Sequence, residues 1–93
     1  MNTRDLTLAL WQTPYAADVP TALRTLDEAA AQARAQGADV LVCPEMSLTG
    51  YLLGPRRIAD LAEPADGPLL RAVAEVARRH GIAIVCGWPC ATA

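Results

Sequence analysis

Asp39-Val40-Leu41-Val42-Cys43 is a short, near-continuous apolar run halted by Pro44, and no other stretch limits the fold as much. A run without alternation is the pattern of a strand covered on both faces, which belongs to parallel sheets. Pro44 lacks the N–H that a ladder needs and pushes Cys43 into the extended region, so the strand is predicted to end there. A single carboxylate, Glu45, follows directly, and a polar turn runs through Ser47 and Thr49 to Gly50. In an open α/β layer the carboxyl ends of strands are where ligands and catalytic groups gather. That position makes Glu45 a candidate, not yet a mechanism.

The flanking segments supply the covering layer. Leu6-Thr7-Leu8-Ala9-Leu10-Trp11-Gln12 alternates apolar with small or polar side chains before Pro14, and predicts a first strand. Asp18 precedes Val19-Pro20, an N-cap and an early proline in the places a helix prefers. Val19, Leu23, Leu26, Ala30 and Ala33 then recur at helical spacing until Gly37. After the central run comes a loop through Gly54-Pro55, with helical turns expected over Arg56 to Leu61. Glu63 to Pro68 leads into a second long helix. Its apolar stripe is Leu69/Leu70, Val73 and Val76/Ala77, and its wet face is Arg71, Glu75, Arg78 and Arg79. His80-Gly81 closes that helix, and Ile82 to Gly87 is predicted as a third buried strand ended by Pro89. Strands alternating with helices imply a layered α/β arrangement with right-handed crossovers.

Composition sets the limits. Ninety-three residues allow one domain at most. A chain of this size buries a little over ~60% of its unfolded surface, so its core is small. With 53% hydrophobic and 19% charged residues the chain is not a disordered charged tail. That much apolar surface is expected to await a partner, either a second copy or further chain. A net charge of −2 leaves no electrostatic footprint for nucleic acid. No apolar run approaches the ~20 residues of a membrane span, and Met1-Asn2-Thr3-Arg4-Asp5 is unlike a signal peptide, so the cytoplasm is expected. Three cysteines in that setting are expected to be reduced thiols. Cys90-Ala91-Thr92-Ala93 follows a strand with no closing element, as expected of a chain cut in mid-fold.

Pro44-Glu45-Met46-Ser47-Leu48-Thr49-Gly50-Tyr51 after an apolar strand resembles the first catalytic motif of the nitrilase superfamily of carbon–nitrogen hydrolases. The frame is similar over essentially the whole chain, and within the superfamily the amidase-type members are most alike. The resemblance implies the N-terminal β-α-β-α-β part of an α-β-β-α sandwich, with residues 1–93 forming part of one domain and the complete enzyme dimeric or larger. It implies a Glu–Lys–Cys catalytic set acting on a small aliphatic amide, with no organic cofactor or metal. Glu45 matches the glutamate, the general base, and Tyr51 is a candidate for the pocket beside it. The lysine and the nucleophilic cysteine belong to later strands. All eight cations here are arginine, so the lysine role is vacant on these residues.

None of the three cysteines replaces the nucleophile. Cys43 and Cys86 occupy strand positions where a thiol behaves as a small hydrophobe, and Gly87-Trp88-Pro89-Cys90 lacks a strand-to-helix elbow. Cys86 and Cys90 are spaced C-x₃-C, and with His80 and Cys43 would make four zinc ligands. Cys86 inside an apolar strand speaks against that set, and His80 is more simply a helix-end cation or a solvated residue. Trp11, Tyr15, Tyr51 and Trp88 are few and scattered and are expected to be packing residues, with the pocket beside Glu45 the alternative for Tyr51.

The implied reaction explains why one carboxylate is insufficient. A cysteine attacks the amide carbonyl, ammonia or an amine leaves, and water releases the acid from the thioester. A glutamate takes the thiol proton, passes it to the leaving group and then activates water, while the lysine steadies charge on the carbonyl oxygen. Between ~4.3 for Glu and ~8.5 for Cys lie about four pKa units, or roughly 5.7 kcal/mol against the first transfer. Burial and a placed lysine must narrow that gap. The isolated chain is therefore expected to be inactive. One expectation is a hydrolase portion that supplies the base; the other is a non-catalytic α/β module kept for association.

Overall fold

The computed structural model describes residues 5–13, 18–44, 64 and 66–87. Five elements follow one another: β1 (Leu8–Leu10), α1 (Val19–Ala35), β2 (Val40–Val42), α2 (Pro68–His80) and β3 (Ala83–Val85). Three parallel strands form one sheet in the spatial order β1-β2-β3, with Ala9, Leu41 and Ile84 in register. The turns expected over Arg56 to Leu61 lie outside the described residues.

Local signals act where the sequence puts them. The Asp18 carboxylate accepts a 2.7 Å hydrogen bond from Thr21 N–H, and Pro20 stands in the first turn of α1. That satisfies one of the helix's orphan donors and pre-sets φ for the turn. Both helices end in the same way. Gly37 (φ +85°) and Gly81 (φ +63°) take the left-handed conformation. Ala38 N–H then reaches back to Ala33 O at 3.0 Å, and Ile82 N–H to Ala77 O at 3.1 Å. This closure consumes the last helical carbonyls and turns the chain directly into the next strand. A Cβ built at Gly81 meets nothing within 4 Å. The penalty for Gly81→Ala is therefore conformational alone, about 1–2 kcal/mol. A lower urea midpoint with an unchanged m-value is the expected result; an unaltered midpoint would mean the turn relaxes at no cost.

The strands are shorter than the apolar runs that encode them. Leu6–Gln12, Asp39–Cys43 and Ile82–Gly87 predict strands of five to seven residues, and each forms a three-residue ladder. Single bonds extend the pairing at both ends. Asp39 N–H donates to Thr7 O at 2.8 Å, Thr7 N–H donates to the Asp39 carboxylate at 3.0 Å, and Ala83 N–H donates to Asp39 O at 3.1 Å. Asp39 thereby ties all three strands at their amino ends.

Burial corrects the expectation of a sheet covered on both faces. Ala9, Leu41 and Ile84 point toward the helices, and Leu41 is 2% exposed. The opposite face carries Leu8 and Leu10, with Val40, Val42 and Val85, and it is open: Leu8 is 53%, Leu10 76% and Val85 55% exposed. Leu6 continues that row. The physical reason is topological. Both crossovers step the same way along the sheet, and crossovers of one hand then put both helices on one face. The two helices pack on each other above that face. Ala22, Leu26, Ala30 and Ala33 of α1 meet Leu69, Val73 and Val76 of α2 in the core. Of the α1 stripe expected from the sequence, Val19 and Leu23 are only half-buried, and Ala22 is fully buried instead.

Candidate active site

Because the strands are parallel, their carboxyl ends share one edge of the sheet, and the candidate site lies there. Beyond β1, Trp11 N–H donates to Val42 O at 2.9 Å; beyond β2, Cys43 N–H donates to Val85 O at 2.9 Å. Pro44, half-buried, has no N–H to continue the ladder, so the central strand stops at that residue. Glu45 is the next residue in the chain. Glu45 and Tyr51 lie outside the described residues, as do Tyr15, Trp88 and Cys90. Trp11 is half-buried against the core.

The two described thiols sit beside this edge. Cys43 belongs to the core, and Cys86 packs against it half-buried. Burial pushes the Cys43 thiol up to about 12, with Cys86 alongside adding to the rise. Burial also raises Cys86. Thiols held neutral in apolar surroundings are inert as nucleophiles at neutral pH. Among the described residues, no three His, Cys, Asp or Glu side chains come together as a metal-binding group, and the fourth member of the zinc set, Cys90, lies outside them.

Of the two expectations for His80, helix-end cation or solvated residue, the second is corrected: His80 stands in the last turn of α2 with a partner. Its side chain is 20% exposed, and its Nε2 lies 2.8 Å from the Asp27 carboxylate on α1. An ionised carboxylate only accepts, so Nε2–H is the donor. Arg79 Nη1 reaches the same oxygen at 2.5 Å. Asp27 and His80 are far apart in sequence, so no local spacing announces the pair. The hydrogen bond from His80 holds the Asp27 carboxyl below the ordinary 3.8; partial desolvation opposes this, and the Arg79 charge adds to it. A depressed carboxylate contributes stability that is present above its unfolded value and lost as pH falls through the folded one. Asp27→Asn is therefore expected to be less stable than the parent at neutral pH, with the difference fading as pH drops below about 3.8. Urea midpoints between pH 7 and pH 2 check this, and a difference constant with pH would count against it. A groove of about 470 Å³ runs past this cluster between α1 and α2, lined by charges of both signs including Arg24, Glu28 and Glu75. None of its lining residues stands at the carboxyl ends of the strands, so it is separate from the candidate site.

The comparisons with known proteins bear on the strand-end site. The carbon–nitrogen hydrolase family model matches residues 7–91, a span that takes in the three strands, both helices and the Pro44-Glu45 segment. A Pseudomonas protegens protein described as a hydrolase in the pqqF 5′ region is 39% identical over 87 residues. That match takes in 92% of this chain and 30% of the relative's length. The chain belongs to the carbon–nitrogen hydrolase family. Among the described residues, no helix is long and apolar enough to cross a membrane.

Proposed function

We propose that these residues form the base-bearing portion of a hydrolase that cleaves small aliphatic amides through a cysteine thioester. Glu45 is the general base and Tyr51 lines the substrate pocket. What supports the reading is that the central parallel strand runs out at Pro44, with Glu45 next in the sequence, inside the family-matched segment. Glu45 relays the thiol proton to the leaving amine and then activates water. The lysine and the nucleophilic cysteine come from chain outside these 93 residues, which contain no lysine. The open face of Leu8, Leu10 and Val85 supports the α-β-β-α sandwich, in which a second sheet covers those side chains.

The test is complementation. The 93-residue chain is mixed with the remaining portion of the Pseudomonas protegens relative, and ammonia release from short aliphatic amides is followed. Activity in the mixture and in neither part alone is expected; a stable complex without hydrolysis of any such amide would overturn the catalytic reading. The same open face also favours a second reading, a non-catalytic module whose copies associate through it. Sedimentation of the chain alone separates the two, because only the second requires a compact, well-folded homo-oligomer.

A further inference from the structure

We propose that Cys43 and Cys86 form a two-coordinate site for a soft monovalent metal ion of the Cu(I) class, bridging the carboxyl ends of β2 and β3. Val42 and Val85 are register partners, and Cys43 N–H still donates to Val85 O at 2.9 Å. That bond closes the last pair of the ladder, and Cys43 and Cys86 are the residues that directly follow it on the two strands. Side chains alternate along a strand, so both thiols stand on the face of Leu41 and Ile84. Both also pack with the helix-covered core, and neither is disulfide-bonded.

Spacing and donor count select the ligand. Neighbouring strands lie ~4.7–4.9 Å apart, about twice a metal–sulfur bond of ~2.3 Å. A near-linear sulfur–metal–sulfur bridge matches that spacing. A disulfide needs Cβ atoms within ~3.5–4.5 Å and would draw the strands together. Among the described residues, no third His, Cys, Asp or Glu joins the pair. Zinc asks for four donors in a tetrahedron, whereas soft thiolate ligands select Cu(I). Burial keeps the empty thiols protonated, so binding must displace their protons. Two S–H bonds break, two protons pass to water, two sulfur–metal bonds form and no electron changes hands; coordination deprotonates a thiol outright.

The full 93-residue chain, reduced and kept anaerobic, is titrated with Cu(I) held by a chromophoric chelator. One ion withdrawn per chain is expected, with two sulfur neighbours and no nitrogen in X-ray absorption at the copper edge. Cys43→Ser and Cys86→Ser should each abolish the withdrawal, and Cys90→Ser should leave it intact. Failure to withdraw the ion, a third ligand, an ion shared between two chains, or retention in either of the first two variants would overturn the proposal. The absorption spectrum of the unsubstituted chain decides the matter even where a serine variant fails to fold.

Discussion

Leu41→Ala is expected to lower the unfolding free energy by about 2–5 kcal/mol. Leu41 is the midpoint of the central strand, 2% exposed, between Ala9 and Ile84 in the row that faces the helices. The ladder bonds hold the strands in place, and Ala22, Ala30 and Ala33 of the same core cluster have no side-chain reach beyond Cβ. A domain carries roughly 0.05–0.15 kcal/mol of stability per residue, so the loss removes a large share of what a chain this small possesses. Val85→Ala makes the control. It removes apolar carbon from the same sheet, but on the open face, where the side chain is 55% exposed. Urea unfolding followed by circular dichroism should show a large shift for Leu41→Ala and a small one for Val85→Ala. Equal shifts would mean that the open face is buried in solution, as a tight homo-oligomer would require.

Glu45→Gln in the complemented enzyme is expected to reduce kcat about 10²–10⁴-fold, the usual contribution of a positioned general base. Glutamine keeps the shape of the side chain and accepts hydrogen bonds, but it cannot carry the thiol proton to the leaving amine. The loss should therefore fall on kcat and kcat/KM together, the mark of an interaction made only in the transition state. Co-sedimentation of the variant with the complementary portion provides the control for association. Unchanged turnover with Glu45→Gln would remove Glu45 from the chemistry.

The parts of the fold that were legible in the sequence are those governed by neighbours a few residues apart. Asp18 caps α1 because its carboxylate meets the amide of Thr21. Gly37 and Gly81 end their helices because each adopts positive φ. Pro44 ends the central strand because it has no N–H to give. The Asp27–His80–Arg79 cluster was not legible, because its members come from two helices and meet only when those helices pack. The register that sets Val42 beside Val85 was hidden for the same reason, since strand register is a property of the sheet.

Residues 39–44 show where the division falls. The sequence by itself determined that this run is a strand, that it stops at Pro44 and that a carboxylate follows, since each depends on backbone chemistry within a few bonds. It did not decide which faces of the strand are covered. Continuous apolar character predicts burial on both sides, yet the helices cover only the face of Leu41 and leave Val40 and Val42 on the side of Leu8 and Leu10. That outcome follows from strand order, because two crossovers stepping the same way along a parallel sheet place their helices on one face.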